Sequence, residues 1–228
     1  MAEKQEFFTL LNGRVKMARG FYNPTSDAVW LAAYAPKDIK SALDVGIGSG
    51  AVSLCLMSHF PNLKVTGIDI SKEMLQECAK NAELNNQAIK LLNQDINNWS
   101  TTERFDLVIT NPPYFNGQPA HHNAHHNADI TKWIQQCCAR VQPNKYICVI
   151  ADALCADKII SVLTEKHFGN TQIFPLFSTK NSAERVLIRA KQGVKTGTTI
   201  FCGTSMNNDM ILRDGLTIDA LLSTLDAQ

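Results

Sequence analysis

The chain has 228 residues, with 22 Lys and Arg against 21 Asp and Glu, and 45% of it is apolar. At about 150 residues per domain this length predicts one domain with added segments, large enough to bury a core without metal or disulfide staples. A net charge of +1 excludes a histone-like or polybasic protein, so any nucleic-acid contact must come from a local basic patch.

Residues 1–6 carry two acids and lead into no apolar run of signal-peptide length. No apolar stretch has membrane-spanning length, so no membrane partner is expected. The cysteines are Cys55, Cys78, Cys137, Cys138, Cys148, Cys155 and Cys202, with no C-x-x-C pair among them. They read as reduced core thiols of a cytoplasmic protein, and their spacing does not suit a structural zinc site.

Along the chain, a helix is expected within residues 21–35, starting near Pro24, because proline suits the first helical position. Residues 41–45 are short, apolar and followed by glycines, the pattern of a buried strand. Residues 51–60 read as a helix stopped by Pro61, and 63–70 as a second strand. Ser71 then caps a helix with Met74, Leu75, Cys78, Ala79 and Ala82 at helical spacing. Further strands are expected at 89–92, 105–110 and 146–150, and helices at 129–140 and 153–166. Strands at 172–177 and 185–190 are joined by a connection too short for a parallel crossover, which predicts an antiparallel hairpin. A short helix is expected at 218–225.

Strands alternating with helices imply an α/β fold with a mostly parallel sheet and helices on both faces. The expected organisation is one domain, with a lid at residues 1–40, a core at 41–190 and an extension at 191–228.

Asp44 and the glycines Gly46, Gly48 and Gly50 join the first central strand to a helix. Such glycines allow a tight turn and let a ligand lie against bare backbone. Asp69 ends the second strand, where an acid grips ribose hydroxyls. That much fits NAD and S-adenosylmethionine about equally. Three details favour S-adenosylmethionine: the G-x-G-x-G spacing, Asp44 within reach of a ligand ammonium, and Asp95 at the third strand end, where it can accept from an adenine amino group. Ile70 and Ile96, which follow two of these acids, complete this cofactor-facing set.

Asn111-Pro112-Pro113-Tyr114 follows the fourth central strand directly. This resembles the catalytic motif of methyltransferases that act on planar amino groups: adenine N6, guanine N2 and glutamine N5. An exocyclic amine is a poor nucleophile because its lone pair is delocalised into the ring. The Asn111 side-chain oxygen and the Pro112 carbonyl can each accept one N–H, which draws the nitrogen toward tetrahedral geometry and frees the lone pair. Pro112 and Pro113 hold the loop extended. Tyr114 can stack on an extruded base.

The resemblance spans residues 10–225. Asn12-Gly13-Arg14-Val15 and the stretch from Asp27 to Ala33 look like the leading segment of the bacterial tRNA adenine-N6 methyltransferase family, whose type member modifies the adenine beside the anticodon of a valine tRNA. Ala124-His125-His126, Trp133 and the strand from Arg185 to Arg189 are similar to its alphaproteobacterial branch. The resemblance implies a Rossmann-like class I methyltransferase fold, with a seven-stranded sheet whose last strand is antiparallel. It implies S-adenosylmethionine as donor, S-adenosyl-L-homocysteine as product and an RNA substrate, tRNA above all. It also implies that Tyr22, Asn23 and Thr25 lie near the cofactor.

His121, His122, His125 and His126 crowd one polar loop. They read as a substrate-contacting lip in which His125 and His126 meet RNA, as a solvated loop, or less readily as a metal site. Lys180, Arg185, Arg189, Lys191 and Lys195 face a single acid, Glu184. They read either as a solvated edge hairpin or as phosphate contacts, with Lys180, Arg185 and Arg189 foremost. The leading expectation is adenine-N6 methylation of tRNA. Beside it stand a glutamine N5 or rRNA guanine N2 methyltransferase, a non-catalytic cofactor- and RNA-binding factor, and an NAD-dependent oxidoreductase, which would leave Asn111 to Tyr114 unexplained. Monomer and homodimer are both compatible with the chain.

Overall fold

Alternate residues of the central strands point to opposite faces of the sheet, and both sets are apolar, as a doubly covered parallel sheet requires. In the computed structural model of the protein, residues 7–20, 24–113, 129–178 and 181–225 are described. Strands β3 (Ser41–Val45), β4 (Lys64–Asp69), β5 (Ile89–Asn93), β6 (Phe105–Thr110) and β7 (Val141–Asp152) run parallel in the order β5-β4-β3-β6-β7. Beyond β7 come β9 (Arg185–Gln192) and then β8 (Phe168–Phe177). Strand β9 is antiparallel to both neighbours, so the hairpin expected from the short connection forms.

Leu107, Ile109, Cys148, Ile150 and Leu187 pack on one face against helices α1 (Asp27–Ala33) and α2 (Ala51–His59). Leu43, Val45, Val108, Ile147, Val149 and Ile188 pack on the other against α4 (Ile130–Cys138) and α5 (Ala156–Glu165). Helix α3 (Lys72–Leu84) adds a small cluster in which Leu75 and Cys78 meet Ile47. Its cap is as expected: Met74 N donates to Ser71 Oγ at 3.1 Å. Asp129 caps α4 in the same way, accepting from Thr131 N at 2.9 Å.

The structure departs from the sequence reading in four places. First, a hairpin of β1 (Phe7–Leu10) and β2 (Val15–Ala18) occupies the leading segment. Second, α1 starts at Asp27 and not near Pro24, because a turn at Thr25 and Ser26 (Ala28 N to Thr25 O, 3.2 Å) intervenes. Third, β7 and β8 start earlier than their apolar runs. Each passes through an asparagine at positive φ, Asn144 and Asn170, and these local kinks break the alternation that marks a strand in sequence. Fourth, among the described residues the sheet has nine strands and not seven. Strands β10 (Thr198–Ile200) and β11 (Thr204–Ser205) both pair in parallel with the outer edge of β8. Their ladder is interrupted near Pro175, which has no N–H to donate. Helices α6 (Asp209–Leu212) and α7 (Ile218–Leu225) follow, the latter where the sequence places it. Among the described residues, no helix is long and apolar enough to cross a membrane. All seven cysteines are free thiols, six of them buried and Cys202 exposed.

Candidate active site

The register brings the carboxyl ends of β3, β4 and β6 to one rim: Val45 lies opposite both Ile68 and Thr110. Open parallel sheets bind ligands at such a rim. The turn leaving β3 carries Gly46, Gly48 and Gly50 at φ +75°, +53° and +86°, a region costly to side-chain-bearing residues. Gly46 N and Ile47 N donate to the Ile68 carbonyl at 2.8 and 3.1 Å. Gly48 N donates to Asp69 Oδ2 at 2.9 Å, and Ser71 N to Asp69 Oδ1 at the same distance. Asp69 therefore fastens the turn to β4 through one oxygen and starts α3 with the other. Around Gly48 the backbone is bare. Among the described residues, a Cβ built there would have only the Gly46 carbonyl within 4 Å, at 4.0 Å. Behind the turn, Ile47 lies on β4 at Gly67, where a Cβ would stand 2.2 Å from its Cδ1.

Asp44 is only 1% exposed and accepts from Ser53 Oγ at 2.7 Å. Burial pushes its carboxyl up to about 7. The Ser53 hydrogen bond opposes that shift, and the charge of Asp69 adds to it. Asp95 heads an Asx turn, in which Asn97 donates to Oδ1 and Asn98 to Oδ2. Ile70 is 54% exposed at the rim. Ile96 does not share that setting: it is buried in the core beside α4 and α5, so its side chain packs the protein and does not line the rim. Asn97 Oδ1, two residues on from Asp95, is buried without a hydrogen-bond partner among the described residues.

At the end of β6, Thr110 Oγ1 donates to the Val45 carbonyl at 2.9 Å and accepts from Trp133 Nε1 at 3.0 Å. The next residue, Asn111, is half-buried, Pro112 buried and Pro113 half-buried. The glycine turn and the Asn-Pro-Pro segment thus leave adjacent strands that are bonded to each other at their last residues. Tyr114 and the four histidines from His121 to His126 lie outside the described residues, as do Tyr22, Asn23 and Lys180. Thr25 is described, ahead of α1, and its carbonyl closes the turn there. Among the described residues, no group of three His, Cys, Asp or Glu could hold a metal.

The two arginines of the last hairpin, read from the sequence as a solvated edge or as phosphate contacts, are both paired with carboxylates within the fold. Arg189 is 8% exposed. It donates to Asp219 Oδ1 at 2.8 Å, to Gln172 Oε1 at 2.8 Å and to the Tyr34 carbonyl at 3.1 Å, and its guanidinium lies 4.7 Å from the Tyr34 ring centroid. Arg185 sits opposite Asp152 on β7 and pairs with the buried Asp27 at 3.3 Å. Both positions look basic and solvated in sequence, because their acidic partners are distant along the chain. Ser53, Asn81 and the pair of Thr110 with Trp133 were not picked out by sequence reasoning. Their contacts, with Asp44, with Ala18 and Ser49, and with Val45, arise only in the folded chain, and no spacing rule encodes them.

Residues 27–174 match the family model described as methyltransferase small domain. A tRNA1(Val) (adenine(37)-N6)-methyltransferase from Glaesserella parasuis is 26% identical over 146 residues, 59% of this chain and 61% of that one. A release factor glutamine methyltransferase from Lactococcus lactis is 40% identical over 78 residues, 34% of this chain and 28% of that one. The chain therefore spans less than two thirds of the curated relatives it matches. Among solved structures, a protein from Agrobacterium tumefaciens described as a predicted O-methyltransferase overlays with a TM-score of 0.65 at 23% identity, covering 79% of this chain and 87% of that one. N-methyltransferase NodS from Bradyrhizobium japonicum, in complex with S-adenosyl-l-homocysteine, overlays with a TM-score of 0.55 at 18% identity, over 74% and 84% of the two chains. The fold of these structures is the one described above, and by the match over most of its length the chain belongs to the methyltransferase small domain family.

Proposed function

We propose that this protein is an S-adenosylmethionine-dependent methyltransferase that methylates the exocyclic N6 of an adenine in RNA, tRNA foremost. The observation that carries the reading is the hydrogen bond from Thr110 Oγ1 to the Val45 carbonyl, 2.9 Å long. It couples the last residue before the glycine turn to the last residue before Asn111. A cofactor seated on the turn and an amine held by Asn111 are then neighbours by construction.

The residues present fit the cofactor. Bare backbone at Gly48 leaves room for a close ligand, exposed Ile70 offers an apolar face for an adenine ring, and the unpartnered Asn97 Oδ1 can accept from its amino group. Asp44 supplies negative charge for an ammonium, and Asp69 has lone pairs left for ribose hydroxyls. When bound, S-adenosylmethionine supplies an electrophilic methyl group. The chain's own part is to hold the acceptor: Asn111 Oδ1 and the Pro112 carbonyl each take one N–H of the amine and aim its lone pair. No strong base is needed, since the nitrogen becomes acidic once alkylated.

The choice of RNA rests on likeness to the tRNA adenine-N6 enzymes. The 40% identity to a release factor glutamine methyltransferase, over 78 residues, favours a second reading, a glutamine N5 acceptor. Labelled S-adenosylmethionine, incubated with total RNA or with release factors, separates the two. N6-methyladenosine in the tRNA fraction is the expected product, and label confined to protein would overturn the RNA reading.

A further inference from the structure

Trp133, on the first turns of α4, touches both halves of the site at once. Its Nε1 donates to Thr110 Oγ1 at 3.0 Å, one residue before Asn111. Its six-membered ring lies against Gly46: a Cβ built on Gly46 would be 3.3 Å from Trp133 Cζ2 and 3.5 Å from Cη2. A side chain at position 46 would oblige this ring to give by a few tenths of an ångström, so the indole borders the turn where the cofactor would lie. The indole is only partly buried, although it packs against the core beneath α4. A buried indole needs some acceptor for its N–H, but core packing alone does not require that acceptor to be the hydroxyl that also bonds β3. The chain of contacts runs from Val45 through Thr110 to Trp133 and back to Gly46, and so closes a loop around the junction of turn and motif.

We propose that Trp133 is a positioning residue for the methyl transfer, fixing Asn111 against the glycine turn so that donor and acceptor meet in line. The proposal rests on the reading of this site as a methyl-transfer centre. A small misalignment of reacting groups lowers turnover far more than it lowers binding. Trp133 thus acts through Gly46 and Thr110, not on the substrate itself.

The test uses the full chain with tRNA, together with W133F, T110V, T110S and the double variant W133F/T110V. Each variant is checked for folding by thermal unfolding. W133F is expected to lower kcat about tenfold, with KM for RNA and Kd for S-adenosylhomocysteine within about threefold of the parent. T110V should match that loss, T110S should restore most of the turnover, and the double variant should be little worse than T110V, because both changes cut one chain of contacts. A W133F kcat within about twofold of the parent, a parallel loss of cofactor binding, or losses that multiply in the double variant would each overturn the proposal.

A parent chain inactive on RNA would instead count against the substrate reading. The positioning role is then read from tryptophan emission on titration with S-adenosylhomocysteine: Trp30 is fully buried, and Trp99, partly buried against the core with Arg140 over its ring, contributes equally to the parent and to W133F. The parent should respond clearly more than W133F. An equal response in both sinks the proposal.

Discussion

Asn81 donates from its amide nitrogen to the Ser49 carbonyl at 2.9 Å, reaching from the last turn of α3 into the glycine turn. The same side chain accepts from Ala18 N at 2.8 Å, and Asn85, one helical turn on, bonds both Lys16 N and Lys16 O. Two asparagines thus imitate the edge of a strand and hold β2 against α3. Only Asn81 also reaches the cofactor turn. Asn81→Ala should weaken S-adenosylmethionine binding about three- to tenfold and speed hydrogen exchange at Ala18. Asn85→Ala should loosen the hairpin alone. Calorimetric titration of both variants checks the difference, and equal effects on the cofactor would show that Asn81 and Ser49 are not coupled to binding.

With Asp44 facing the ligand ammonium as proposed, cofactor binding should depend on pH. Its carboxyl stands at about 7 in the folded chain, against 3.8 ordinarily, so at about pH 6 most of it is protonated. A ligand ammonium favours the carboxylate, so binding releases a proton. Affinity should rise up to about tenfold per pH unit below pH 7 and level off above it. Asp44→Asn should remove this slope. Stability runs the opposite way. Between 3.8 and about 7 the folded state binds more protons than the unfolded one, so the ligand-free protein loses stability as pH rises through that window. Thermal unfolding at both ends of the window, for the parent and for Asp44→Asn, tests the sign.

Gly50 has no tolerance for a side chain. A Cβ there would fall 2.6 Å from Cys78 Sγ, and its φ of +86° is already costly for any other residue. Gly50→Ala should destabilise the protein by about 2–4 kcal/mol in urea unfolding. Adding Cys78→Ala should return part of that loss by removing the clash, and the backbone cost should remain. Additive losses in the double variant would mean that the sulfur is not the obstacle.

Arg189 and Asp219 anchor α7 to the sheet. Asp219→Ala should cost about 2 kcal/mol, because it leaves an 8% exposed guanidinium without its carboxylate. The salt dependence of RNA binding should not change, which separates this anchor from a phosphate contact. A flatter salt slope would return the hairpin to the interface.

Much of this architecture is legible in the sequence because local rules act there. The glycine turn needs glycine, Ser71 and Asp129 cap helices by their own side chains, and the connection from β8 to β9 is too short for anything but a hairpin. What escapes the sequence is set by partners far away. Arg189 is exposed by any local rule and becomes buried because Asp219 and Gln172 come to meet it. Ile96 looks like a rim residue by its neighbour Asp95, yet packs into the core. Thr110, beside a conspicuous motif, shows its purpose only once Val45 and Trp133 lie on either side.

The pairing of β10 and β11 along β8 bears on how the protein survives in a crowded solution. A long outer strand with free N–H and C=O groups is a template for another chain. Here two short strands occupy that template on either side of Pro175, which itself offers no donor. Residues 198–205 act as a guard along that strand. Replacing Thr199 and Thr204 by proline, which would break both short strands while leaving α6 and α7 in the chain, should bare β8 and favour self-association through it.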